Sequence, residues 1–233
     1  LDDVSDQNAI DVDVEEYIYN ALTLGISDYF FKTGHQKAVI GLSGGIDSAL
    51  VACLAVDALG PENVYLVSMP SRFSSNHSKS DARDLANNLN ANFDTIDIDD
   101  LFEKYLDTLY DKFKGMESNV AEENIQSRIR GNILMAFSNK FGCLVLSTGN
   151  KTELALGYCT LYGDMSGGLS AIGDLSKTEV YNLAKWKNKV SNNIIPDNSI
   201  TKPPSAELAP DQVDPFDYDL ISPIVDKIIL GED

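Results

Sequence analysis

Two glycines at the mouth of an apolar run carry the first chemistry legible in this chain. Ser43-Gly44-Gly45-Ile46-Asp47-Ser48 follows the short apolar segment Lys37 to Leu42 and leads into an almost wholly apolar stretch from Ser48 to Leu59. Such a turn folds tightly and aims its backbone N–H groups outward at the start of a helix, where the macrodipole and free amides attract an anion without a basic side chain. The Walker pattern Gly-x-x-x-x-Gly-Lys-Ser/Thr is absent. Asp47 adds a carboxylate beside that hollow, which repels phosphate unless a divalent cation lies between them, and Mg²⁺ suits carboxylate plus phosphate oxygens. By spacing alone, a structural strand-to-helix turn capped by Ser48 is an equal reading. Further on, Thr148 to Glu153 reads as a helix start with Thr148 as cap and Glu153 favourable to the dipole, and Lys177 reads as a solvated lysine opening a later helix.

The remaining composition bounds what such a site could serve. Among 233 residues there are 18 Lys plus Arg against 36 Asp plus Glu, a net charge of −18. That field opposes a polyanion held by counterion release, so nucleic-acid binding is not expected and an anionic ligand needs a local device. Cys53, Cys143 and Cys159 lie far apart in apolar company, the pattern of free thiols in a reducing compartment. No stretch approaches the ~18 apolar residues of a membrane span, and the opening Leu1-Asp2-Asp3 is acidic where a signal or transit peptide is basic, so a cytoplasmic protein is expected. His35 and His77 are isolated, and Asp94 to Asp99 lacks the Gly and Glu of a calcium loop.

The elements that must position these residues alternate. Ile18, Leu22, Ile26 and Phe30 step by four through a helix from Val14 to Phe31 that ends near Gly34. Strands are expected at Lys37 to Leu42, Val64 to Met69, Phe93 to Ile98 and Cys143 to Ser147. Helices are expected from Ser48 to Leu59, Ser80 to Leu89, Asp99 to Phe113 and Lys177 to Lys187. Another, of about six turns, carries the stripe Ile125, Ile129, Ile133, Phe137 and Phe141. Gly115 to Asn119 reads as a loop, Gly157 to Gly173 as a loop-rich region, and Pro203 to Pro215 as an extended acidic connector. Buried strands alternating with helices argue for an α/β, doubly wound, mostly parallel sheet, with ligands beyond the carboxyl ends of its strands: just after Leu42, Met69 and Leu146.

Ser-Gly-Gly-x-Asp-Ser after a strand resembles the signature of the PP-loop ATP pyrophosphatases, which split ATP into AMP and pyrophosphate. Ser147 to Tyr158, Met69-Pro70-Ser71-Arg72, Glu123 to Arg130, Tyr162-Gly163-Asp164, Lys177-Thr178 and Lys202 to Leu208 follow in the order found in NAD synthetase, and Thr160 to Met165 is most similar to the synthetase domain of its glutamine-dependent form. The resemblance covers most of the chain. It implies a Rossmann-like fold of the adenine nucleotide alpha hydrolase kind and ATP-dependent amidation of deamido-NAD to NAD through an adenylated intermediate. It also implies Mg²⁺, ammonia as the second substrate and a homodimer. Residues 1–233 then read as a single synthetase domain, with the N-terminal nitrilase-like glutaminase domain, a possible source of ammonia, not among them.

The resemblance also implies roles. Gly41, Leu42, Ser43, Gly44, Gly45, Ile46, Asp47 and Ser48 would hold ATP, together with Arg72, Thr148, Lys177 and Ser205. Asp47 and Lys177 would be catalytic, with Lys177 neutralising the outer phosphates, and Asp47 and Glu153 would hold the metal. Asn124, Arg128, Glu153, Tyr158 and Asp164 would meet deamido-NAD. The family usually continues past the Leu230 region into a segment whose lysine contacts deamido-NAD, a contact left unassigned here. Val190 to Pro196 and Asp211 to Pro215 look short or irregular beside the family. Two rival readings are another amidating ligase of the same superfamily, such as a GMP synthetase, and a nucleotide-binding module without catalysis.

Overall fold

The computed structural model describes residues 13–231. Five strands, β1 (Lys37–Gly41), β2 (Val64–Ser68), β3 (Asn92–Thr95), β4 (Cys143–Ser147) and β5 (Leu169–Ser170), form one sheet in the order β3-β2-β1-β4-β5. Every pairing is parallel. The chain runs outward from β1 to β3 and then crosses back to β4, so the direction of winding reverses between β1 and β4, and a crevice opens there at the carboxyl ends. The three middle residues of β1 are wholly buried because both sheet faces are covered. Ala38 and Ile40 enter one core with Leu42, while Val39 enters the other with Val67 and Val145.

Helices α1 (Val14–Thr33), α2 (Ile46–Leu59), α3 (Asn76–Asn88) and α7 (Lys177–Val190) cover the first face, and α4 (Asp99–Phe113) and α5 (Val120–Phe141) the second. The central helix, α2, is buried at every position from Ile46 to Ala55 except Asp47. Local signals set the limits of the others: Gly34 closes α1 at φ 73°, and capping boxes at Asn119/Glu122 and Ser176/Glu179 open α5 and α7. At the far end of α7, Lys187 Nζ donates to Asp57 Oδ2 at 2.6 Å, and Tyr19 OH donates to the same oxygen at 2.8 Å, which ties α7 to α1 and α2.

The structure differs from expectation at several points. Helix α2 begins at Ile46 with Gly45 as its N-cap, so Ser48 lies inside the first turn and caps nothing. Helix α3 begins at Asn76, four residues before the expected Ser80, because Ser75 Oγ accepts from Ser78 N and recruits a polar stretch into the helix. Strand β5 makes a fifth strand where four were expected. Helix α6 (Lys151–Leu156) follows the helix start read at Thr148 to Glu153, with Asn150 as its cap, and two further helices, α8 (Asp197–Thr201) and α9 (Tyr218–Leu230), lie before and beyond the connector. Cys53, Cys143 and Cys159 are free thiols. Among the described residues, no helix is long and apolar enough to cross a membrane.

Candidate active site

A cavity of about 530 Å³ opens over the carboxyl ends of β1, β2 and β4, the three places where the strand pattern puts ligands. Its floor begins with Gly41, Leu42, Ser43, Gly45, Ile46 and Asp47. Behind them Gly44 sits at φ 81°, and a Cβ there would come within 2.3 Å of the carbonyl oxygen of Ser78. Only glycine fits, because the turn needs both the left-handed backbone and the close approach of α3. Ser48 is buried beneath the loop: its hydroxyl donates to Gly45 O at 3.0 Å, accepts from Ser43 N at 3.3 Å and lies 3.1 Å from Ser43 Oγ. It shapes the hollow and does not line it.

Beside the loop stand three charged groups brought from three helices. Lys177 Nζ donates to Asp47 Oδ2 at 2.6 Å and to Glu153 Oε1 at 2.9 Å. Its side chain is only 3% exposed, against 18% and 17% for the carboxylates. Burial opposes the charge on Lys177, but Asp47 and Glu153 outweigh it and hold the ammonium above its ordinary value. Glu153 moves the other way: burial first, then the charge of Asp47, push its carboxyl up to about 7. Asn150 holds this corner together, its Oδ1 accepting from Glu153 N at 3.0 Å to cap α6 and its Nδ2 donating to Asp47 Oδ1 at 2.8 Å. Thr148, read from sequence as a cap, is therefore released from that duty and lines the cavity instead.

Opposite the loop, α5 and residues 157–164 form the second wall. Gly131 and Gly163 let them pack closely: a Cβ on Gly131 would meet Gly163 O at 2.8 Å, and one on Gly163 would meet Ser127 Oγ at 2.3 Å. Asn124 Oδ1 accepts from Thr160 Oγ1 at 2.7 Å, and Asp164 Oδ1 accepts from Ser127 Oγ at 2.9 Å and from Thr160 N at 2.8 Å. Asn124, Tyr158 and Asp164 thus line the cavity as expected. Burial and the nearby Asp214 raise the Tyr158 hydroxyl well above its ordinary value. Ser205 also lines the cavity, its hydroxyl donating to Gln212 O at 2.5 Å.

Besides Gly44 and Ser48, which shape the loop from behind, two expected residues are not brought to the wall. Arg72 turns to the surface and pairs with Asp99 at 3.3 Å and Glu103 at 2.5 Å, and Arg128 Nε donates to Leu161 O at 3.2 Å. Arg130, given no role by sequence reasoning, does line the cavity. Its Nε donates to Met69 O at 2.9 Å, and burial lowers the guanidinium to about 10 while leaving it charged. The signal was available: Arg130 lies one position after the stripe residue Ile129 and so flanks the apolar face of α5. Asn150, Lys202 and Glu207 stand within the resembling motifs without an implied role, and each contacts residues more than 100 positions away.

The NAD synthase family model matches residues 18–231. The chain belongs to the NAD synthase family. It is 54% identical over 221 residues to the glutamine-dependent NAD(+) synthetase of Synechocystis sp., covering 94% of this chain and 39% of that protein. Among solved structures, a glutamine-dependent NAD+ synthetase from Acinetobacter baumannii in complex with ADP superposes with a TM-score of 0.82 at 37% identity, covering 96% of this chain and 45% of that one. An NMN synthetase from Francisella tularensis superposes with a TM-score of 0.81 at 29% identity, covering 94% and 87%. The chain spans about two fifths of the length of the curated relatives it matches. As a member of the NAD synthase family it shares their α/β fold with a parallel sheet.

Proposed function

We propose that this chain carries out ATP-dependent amidation of deamido-NAD to NAD, with ammonia as nitrogen donor and AMP and pyrophosphate as the other products. The observation that carries the reading is the Asp47–Lys177–Glu153 bridge set beside an amide-lined glycine turn in one cavity, within a chain of this family. A carboxylate cannot be displaced by ammonia, since oxide is a poor leaving group. The nicotinate carboxylate oxygen therefore attacks the α-phosphorus of ATP, and the bond to pyrophosphate breaks. Ammonia nitrogen then attacks the acyl carbon, the bond to AMP breaks, and the nitrogen loses a proton.

The chain's own groups answer the charge that builds in both steps. Ser43 N and Gly45 N are bonded within the loop to Ser48 Oγ and Ser43 Oγ, so the N–H groups of the first turn of α2 would meet the phosphates, and Lys177, kept charged by its two partners, supplies the cation that a Walker lysine supplies elsewhere. Arg130 contributes a second, half-buried positive charge. Tyr158 and residues 159–164 wall the cavity and keep water from an anhydride that water would destroy. Asp47 and Glu153 together offer hard oxygen donors of the kind Mg²⁺ takes when phosphates complete its shell. That ion would neutralise phosphate charge and polarise the transferred phosphorus.

The test is to incubate the protein with ATP, Mg²⁺, deamido-NAD and either ammonium or glutamine, and to measure pyrophosphate and NAD together. Pyrophosphate release that requires deamido-NAD, and its loss in Asp47→Asn, are expected. Release driven equally by xanthosine monophosphate or nicotinate mononucleotide would replace the substrate, and undiminished rates in Asp47→Asn would remove the carboxylate from the site.

A further inference from the structure

Ser199 on α8 is 2% exposed, lines the cavity, and has no hydrogen-bond partner for its hydroxyl among the described residues. Burying a hydroxyl without a partner is unfavourable, and the unpaired hydroxyls of native proteins are few enough to call for a physical reason. The surroundings supply one. Helix α8 packs against α2, α3 and α7. Three residues after Ser199, Lys202 also lines the cavity, and its Nζ donates to Ser78 Oγ at 2.7 Å. The backbone of Ser78 is the surface against which Gly44 is packed. Lys79 stands on the same wall. Glu207 also stands on this wall, its Oε1 accepting from Ser78 Oγ at 2.6 Å; against that one carboxylate, a hydroxyl free to donate, two ammonium groups and the N–H groups of the first turn of α2 make a set rich in donors, suited to anionic oxygen.

We infer that Ser199 donates its hydroxyl to the polyphosphate of ATP, with Lys202 beside it, and so forms part of the nucleotide site although nothing in the sequence marks it. The inference rests on the ATP-dependent reading above. The hydroxyl is unpaired in the free protein because its partner arrives with the substrate.

Ser199→Ala tests this, since it removes one oxygen from a buried site and leaves the backbone untouched. Binding of ATP, of tripolyphosphate and of AMP, each with Mg²⁺, is measured by calorimetry, alongside the melting temperature of the free protein. ATP and tripolyphosphate are expected to bind roughly 10- to 150-fold more weakly, the range for one hydrogen bond to a charged acceptor. AMP is expected to be unaffected, and the free protein to melt no lower, because an unpaired hydroxyl has been removed and no bond broken. Unchanged ATP affinity would overturn the inference, and so would a lower melting temperature, which would reveal a structural role for the hydroxyl. An equal loss for AMP would overturn it too, by moving the contact to the base, the ribose or the inner phosphate. If the unsubstituted protein bound neither ATP nor tripolyphosphate, the proposed function itself would fall and this contact with it. If it bound both and only the Ser199→Ala result failed, that function would stand.

Discussion

Replacing Lys177 with methionine keeps the bulk of the side chain and deletes the charge between Asp47 and Glu153. The ammonium is buried and bonded to both carboxylates, and removing one partner from a buried ion pair costs about 3–5 kcal/mol. At 2–4 °C per kcal/mol for a domain of this size, the melting temperature should fall by roughly 6–20 °C near pH 8. The penalty must depend on pH. Even with Lys177 present, Glu153 is held at about 7 against an ordinary 4.5, which corresponds to about 3 kcal/mol of disfavoured ionisation. Without Lys177, its charge and its hydrogen bond, two of the three influences that lower Glu153, vanish, and burial and Asp47 raise the carboxyl further. A carboxyl whose pKa is raised by folding binds its proton more tightly folded than unfolded. Its contribution to stability is therefore greatest below about 4.5 and is lost as pH rises toward the folded value. Urea unfolding of both proteins at pH 8 and pH 5 should show the deficit narrowing at the lower pH by at least about 1.4 kcal/mol, the equivalent of one pKa unit. An equal deficit at both pH values, or one under about 1 kcal/mol at pH 8, would refute the claim that these charges form one buried unit.

The phosphate loop and the acid limb give two further expectations. Gly44→Ala forces a Cβ to within 2.3 Å of Ser78 O at a positive φ, so ATP affinity measured by calorimetry should fall more than about tenfold and the protein should melt lower. Because burial and Asp47 hold Glu153 at about 7 in the free protein, kcat/KM for ATP, read from pyrophosphate release, should rise with pH through that value. A flat profile between about pH 5.5 and 8.5 would argue against a role for its carboxylate in the active form.

The framework was legible because the signals were local and repeated. The crossings after β1, β2 and β4 are each marked by an apolar run followed within a few residues by glycine or serine, and that pattern points to the cavity at the ends of those three strands. The start of α3 was hidden because Asn76 to Ser80 is wholly polar, and the capping contact of Ser75 wins over that composition. Strand β5 has two residues, too few for any periodicity, and Pro223 interrupts the pattern of α9 from inside the helix. At the site, the residues within motifs were readable and their partners were not. Nothing near Lys177 announces Asp47, 130 positions away, and nothing near Ser199 announces a cavity. Arg72 illustrates the reverse: it stands in a motif, yet Asp99 and Glu103 draw it to the surface.

Helix α7 carries Lys177 as its first residue and Lys187 close to its last turn, with the second clamped by Asp57 on the side of the molecule away from the cavity. At 3.6 residues per turn, a slip of one position along that helix would swing the first lysine through about 100° and take it out of reach of both carboxylates. The distant clamp therefore serves as a rotational stop. A surface change at Asp57, remote from every substrate atom, would loosen the aim of the one ammonium group that sits between Asp47 and Glu153.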